Sequence, residues 1–214
     1  MNPLSLYLVR HGRTVYNTQN RVQGWCDSPL TAEGRRSVRV TAEHLRGRAF
    51  AAAYSSPSGR TMETAREILA LHPGTPLTSD GDLREFGFGE FEAGPEAQLF
   101  AQIDAPTLFG SIFDGSFPGL PGGERADRYL ERVAAAFERI TRRHDDVQEV
   151  LVVGHGVTLL AYLTMVGHPL HPLHPLPNAS VSVVEIGADG SRRLTAFGID
   201  PSGQGIPSPA TTSA

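Results

Sequence analysis

Two stretches of the chain, "LSLYLVRHG" at residues 4–12 and "EVLVVGHG" at residues 149–156, follow one order: an apolar run, then a histidine beside a glycine. Unbroken apolar runs of that length suit strands buried on both faces, and such strands alternating with helices make an α/β fold around a mostly parallel sheet. In open sheets of this kind ligands bind beyond the carboxyl ends of the strands. Arg10, His11 and His155 are therefore expected in a crevice and not in the core.

A third unit repeats the order. "AFAAAY" reads as a strand, "SSPSGR" as its polar end, and "RTMETAREILAL" as a helix with Met62, Ala65 and Leu69 at helical spacing. Arg60 is placed by this reading at the end of the middle strand, a second guanidinium beside Arg10. Thr31 is a candidate N-cap for a helix carrying Val38, Ala42 and Leu45, and residues 15–30 carry loop signals. A further helix is expected over Glu124 to Arg143, with Leu130, Val133, Phe137 and Ile140 on its apolar side. "SVSVVEI", "GADG" and "RRLTAFGI" read as a closing hairpin.

Residues 86–123 differ from the rest. They contain no arginine and hold seven of the ten phenylalanines, and they read as a lid-like insertion. The expected organisation is one domain over residues 1–200, with 201–214 as a small, polar, flexible tail.

Charge and composition narrow the function. Formal net charge is −4 across 214 residues, without a clustered basic tract, so nucleic acid is not an expected partner. No apolar run reaches the length that spans a bilayer and no signal-peptide pattern opens the chain, which makes a cytoplasmic protein the expectation. Cys26 is the single cysteine, with no activating pattern around it. All 19 basic residues are arginine, so a P-loop lysine and any Schiff-base mechanism are excluded.

Either histidine alone reads as readily as a strand cap or a hydrogen-bonded buried imidazole. If the two strands are neighbours, however, His11 and His155, 144 residues apart in sequence, face each other beside Arg10 and Arg60. Two guanidiniums and two imidazoles, with helix starts after Gly12 and Gly156, suit a doubly charged anion such as phosphate.

The motifs "LVRHGRTVYNTQNRVQGWCDSPLTAEG", "SSPSGRTMETA", "LREFGFGEFEAG", "VLVVGHG" and "PNASVSVVE" together resemble, in order, those of the histidine phosphatase superfamily, which includes phosphoglycerate mutases and many phosphatases. The resemblance implies a phosphoglycerate mutase-like three-layer α/β/α sandwich. It implies that His11 forms a phosphohistidine, that Arg10, Arg60 and His155 hold the phosphoryl oxygens, and that Glu85 gives and takes the proton. Asn17, Gln23 and Gly24 match positions lining the same pocket. No cofactor or metal is implied.

Neighbouring guanidiniums should lower the pKa of His11 and keep it neutral, while the apolar "FGFGEF" is expected to desolvate Glu85 and raise its pKa. The alternative for Glu85 is an ordinary surface carboxylate beside Arg84. Arg13 is either an extra cation at the pocket rim or a surface residue.

The insertion lacks a basic residue to grip a second anion, which favours a phosphomonoester hydrolase acting on a small phosphorylated metabolite or another phosphomonoester. Phosphoglycerate mutase-type transfer is the alternative, with Arg13, Arg21 or Arg84 supplying positive charge. A non-catalytic phosphate-recognition protein is disfavoured because every expected catalytic residue is present. A homodimer is left open. In "HPLHPLHPLP", His168, His171 and His174 recur at period three, which in polyproline II geometry shares one side but does not converge, so a stiff connection is expected in place of a metal site.

Overall fold

The computed structural model describes residues 4–144, 148–167 and 175–203. β1 (Leu4–Arg10) leads to a single turn, α1 (Val15–Thr18), and then to α2 (Ala32–Leu45), β2 (Phe50–Ser55), α3 (Gly59–Leu69) and β3 (Leu77–Ser79). The insertion supplies α4 (Glu96–Phe100) and α5 (Ala105–Phe113), and α6 (Ala126–Arg143) follows. β4 (Glu149–Gly154), α7 (Gly156–Met165), β5 (Val181–Ile186) and β6 (Arg192–Ile199) complete the order.

The strands form one six-stranded sheet in the order β3-β2-β4-β1-β5-β6. β1, β2, β3 and β4 run parallel, and β5 and β6 close the sheet as an antiparallel hairpin. The adjacency required of the two histidine-bearing strands is present: β1 pairs with β4 and sets Arg10 opposite Gly154.

Alternate residues of these strands serve opposite faces. Leu4, Leu6, Leu8, Val150 and Val152 enter a core shared with α6, α7 and the insertion. Tyr7, Val9, Leu151 and Val153 enter a second core with Val38, Ala42 and Leu45 of α2 and Ala65 and Ile68 of α3. Two cores, one on each face, account for the unbroken apolar runs and make the three layers.

Local chemistry sets the helix starts. Thr31 Oγ1 accepts from the Gly34 amide at 2.9 Å and begins α2. α6 buries Tyr129, Val133, Ala136, Phe137 and Ile140, with its charges on the opposite side.

Two regions are more ordered than their composition suggests. The loop over 15–30 contains α1, held by reciprocal capping between Thr14 and Asn17. The insertion contains α4 and α5, the latter capped by Asp104 accepting from the Thr107 amide at 3.0 Å. Its Phe86, Phe88, Leu99, Leu108, Ile112 and Phe117 are buried in the core shared with α6 and α7, so the phenylalanines make a local core as well as a wall. Among the described residues no helix is long and apolar enough to cross a membrane. His168, His171, His174 and residues 204–214 lie outside the described residues.

Candidate active site

The parallel pairing of β1 and β4 brings the His11 and His155 rings to 5.4 Å between centroids, edge to face. His11 is 4% exposed, and its Nδ1 lies 2.8 Å from the Gly12 carbonyl oxygen. A carbonyl only accepts, so Nδ1 carries the proton, and the neutral ring keeps its lone pair on Nε2. Burial drives the pKa of His11 well below its ordinary value, with Arg60 and Arg10 adding to the shift. The guanidiniums act as the sequence suggests, although burial is the larger cause.

His155 is completely buried, and its pKa is also driven well below the usual value, first by burial and then by Arg60, His11 and Arg10. Ser56 Oγ sits 2.8 Å from His155 Nε2. With that hydroxyl donating, the neutral ring carries its proton on Nδ1, which has no partner among the described residues.

Arg10 donates to the Leu176 carbonyl and packs against Gly156, where a Cβ would stand 3.4 Å from its Cζ and Nε. Arg60 departs from its expected position. It belongs to the first turn of α3, beyond the end of β2, and most of its donors are committed. Nη1 donates to the Cys26 carbonyl at 2.8 Å and to Asp27 Oδ1 at 2.9 Å, and Nη2 donates to the Gly24 carbonyl at 2.7 Å. Arg60 thus ties down the 24–27 loop while its charge bears on both histidines. Among the described residues the Nε atoms of Arg10 and Arg60 are buried without partners, as is His155 Nδ1. Buried donors of this kind are costly unless something accepts from them, and phosphoryl oxygens are suitable acceptors.

Glu85 is buried, but its carboxylate does not meet the apolar surroundings that "FGFGEF" suggests. Oε2 accepts from the Val157 amide at 2.9 Å, and Oε1 accepts from the Thr158 amide and hydroxyl, each at 2.9 Å, and from the Phe86 amide at 3.1 Å. Two amides of the first turn of α7, those of Val157 and Thr158, are therefore occupied by the carboxylate. At the other helix start, Thr14 takes the Asn17 amide of the single-turn α1. The Val157, Thr158 and Asn17 amides at the two helix starts are thus satisfied by side chains of the chain itself. Arg132 fixes the segment from behind, donating to the Asp82, Arg84 and Glu85 carbonyls and to Glu124.

A cavity of about 560 Å³ opens over this cluster. Arg10, His11, Asn17, Gln23, Glu85 and Asn178 line its inner part, and Phe88, Leu99, Phe100, Phe109, Phe113 and Leu160 its apolar wall. Gly24 has another place. Its amide donates to Glu92 at 3.1 Å, its carbonyl accepts from Arg60, and an added Cβ would stand 2.1 Å from the Phe86 carbonyl oxygen. It supports the loop from behind the wall. Arg13 lines the cavity and lies 3.9 Å from Glu33. Burial and neighbouring Glu92 push the Cys26 thiol up to about 12, far from the thiolate a nucleophile needs.

Several participants carry no signal strong enough to find them from residue type. Asn178 lines the cavity and donates to the His11 carbonyl at 3.1 Å. Thr158 and Ser56 act on Glu85 and His155 through contacts between residues 73 and 99 positions apart.

The chain belongs to the histidine phosphatase superfamily (branch 1), whose model matches residues 6–199. This is a family of enzymes, phosphatases and phosphoglycerate mutases. The chain is 33% identical over 167 residues to a 2,3-bisphosphoglycerate-dependent phosphoglycerate mutase 2 of Gloeobacter violaceus, covering 76% of this chain and 75% of that one. Bacillus stearothermophilus YhfR superposes with a TM-score of 0.78 at 32% identity, over 91% of this chain and 96% of its own. The alpha-ribazole phosphatase from Shigella flexneri gives 0.76 at 25% identity, over 92% and 96%.

Proposed function

We propose that this chain is a phosphomonoester hydrolase in which His11 is the nucleophile and Glu85 the proton carrier. The observation that carries the reading is the state of His11: buried, neutral, with Nδ1 committed to a carbonyl and Nε2 left as a lone pair beside two guanidiniums. Nε2 attacks phosphorus, the bond from phosphorus to the ester oxygen breaks, and the leaving oxygen takes a proton from Glu85. In the second half Glu85 draws a proton from water, the water oxygen bonds phosphorus, and the P–N bond breaks to release phosphate and neutral His11. Arg10, Arg60 and His155 Nδ1 stabilise the charge on the phosphoryl oxygens in both halves.

Asn17 and Gln23 complete the pocket floor. Asn17 Oδ1 accepts from the Thr14 amide at 3.1 Å, and Gln23 Oε1 accepts from Thr14 Oγ1 at 2.8 Å, which holds both in place. The apolar wall of the insertion suits a leaving group with an apolar body, and water reaching the phosphohistidine completes hydrolysis. The phosphatase among the structural relatives supports the same reading.

Mutase-type transfer is the second reading. In its favour, Arg13 and Arg21 line the cavity, and the Gloeobacter relative bears a mutase name. Metal-free incubation with para-nitrophenyl phosphate and with 3-phosphoglycerate, with and without a bisphosphate primer, separates the two. The hydrolase reading predicts free phosphate from both esters, lost in His11→Ala. Primer-dependent formation of 2-phosphoglycerate without release of phosphate contradicts it.

A further inference from the structure

The lid contributes one charge to the cavity, and it is negative. Glu96 opens α4 and lines the space beside Arg10 and His11. Its amide is anchored to the Asn20 carbonyl at 2.8 Å, while its carboxylate makes no hydrogen bond or ion pair among the described residues. Burial pushes its pKa upward and the Arg10 charge opposes that shift, which places the carboxylate within the field of the phosphate-binding end.

The two cations on the outer part of the cavity are partly engaged elsewhere. Arg21 donates to the Ala93 carbonyl at 2.6 Å and stacks 5.8 Å over the Tyr16 ring. Arg13 lies by Glu33. Beyond the phosphoryl group, a leaving group meets aromatic side chains and a carboxylate with open acceptor sites.

We propose that Glu96 is a specificity residue: it accepts a hydrogen bond from a hydroxyl or amine on a neutral leaving group and repels a leaving group that carries a carboxylate. This rests on the hydrolase reading and deepens it by naming the substrate class, phosphomonoesters of uncharged or amine-bearing alcohols. A carboxylate brought to an unpaired, half-buried carboxylate is disfavoured, and this repulsion separates substrates that are otherwise alike.

Glycerol 3-phosphate and 3-phosphoglycerate are such a pair, differing by a hydroxymethyl group against a carboxylate. Their dissociation constants are to be measured by calorimetry in the His11→Ala background, with Glu96 intact and as Glu96→Gln. Ratios of kcat/KM are to be measured in the chain that retains His11, and Glu96→Ala with thermal melting serves as the folding control. We expect Glu96 to favour glycerol 3-phosphate, and Glu96→Gln to shift the ratio of the two constants by about tenfold toward 3-phosphoglycerate.

A ratio unchanged by both variants overturns the proposal while leaving the hydrolase reading intact. An equal change for both esters also overturns it, because that is the effect of a merely loosened lid. Absence of hydrolysis together with a shifted binding ratio overturns the hydrolase reading and leaves the role of Glu96 in ligand selection. Failure of both ligands to bind, with neither ester hydrolysed, overturns both.

Discussion

The floor and the wall of the cavity are built on opposite terms. The floor is polar and immobilised: His11 and Glu85 line it, His155 and Arg60 stand buried behind it, and all four are at most 5% exposed, with Arg60, His155 and Glu85 held by partners far away in sequence. The wall is apolar and built largely from short, local elements. Phe100 and Phe109, whose centroids are 6.5 Å apart, sit half-buried on helices of five and nine residues. A phosphoryl group presents the same oxygens whatever it is attached to, so the floor is specified by one chemistry. Leaving groups differ, and the wall need only present a suitable surface to them. The division assigns the rate of phosphoryl transfer to the floor and the choice of ester to the wall.

The division breaks if floor substitutions mainly change affinity or wall substitutions mainly change chemistry. The largest effect belongs to His11→Ala, which is expected to lower kcat by roughly 10⁴-fold or more while the fold survives, read by stopped assays alongside circular dichroism. Glu85→Gln comes next, with a loss of roughly 10²–10⁴-fold in kcat, smaller for esters whose leaving groups need no proton, such as para-nitrophenyl phosphate.

On the wall, Phe109→Ala is expected to raise KM for an aryl phosphate by about tenfold, equivalent to roughly 1.4 kcal/mol of lost apolar contact, with kcat little changed. A fall in kcat without a change in KM would place Phe109 in the chemistry and end the division.

The smallest effects are in pH. The pKa values of His11 and His155 are lowered well below 6.5 in the folded chain. The unfolded chain therefore takes up protons near 6.5 that the native state refuses, and stability declines as pH falls through and below that value. Above it both states are neutral and these groups contribute no slope. Melting temperature against pH is expected to show this decline, and kcat/KM is expected to show no titration of His11 near 6.5. A loss of kcat in that range, with the ester saturating and in its dianionic form (second phosphate pKa about 6), would mean that the nucleophile protonates at its ordinary value.

Much of the floor was legible because its residues end long apolar strands. β1 and β4 announce themselves as runs buried on two faces, and pairing them is enough to join residues 11 and 155. Arg60 was seen but displaced by a turn, since "SSPSGR" does not reveal where the strand stops and α3 begins. The surroundings of Glu85 differ from the sequence expectation for a different reason. The residues that follow it in sequence are apolar, but its neighbours in space are the α7 amides and Thr158, and the 82–85 segment is fixed beside them by Arg132 of α6. Ser56 and Asn178 carry no signal in the sequence because a small polar residue becomes a positioning group only when a distant partner arrives. The wall helices were hidden by a Gly-, Pro- and Phe-rich composition, in which α4 is a single turn stabilised by packing more than by propensity.

The most direct test of the account is to trap the intermediate. The chain would be mixed with a radiolabelled phosphomonoester, quenched rapidly in alkali, and digested for peptide mapping. The account predicts an acid-labile, alkali-stable phosphoryl group on the peptide containing His11, formed at a rate no slower than turnover and absent from His11→Ala. Label on another residue, or turnover with no covalent label at all, would contradict it.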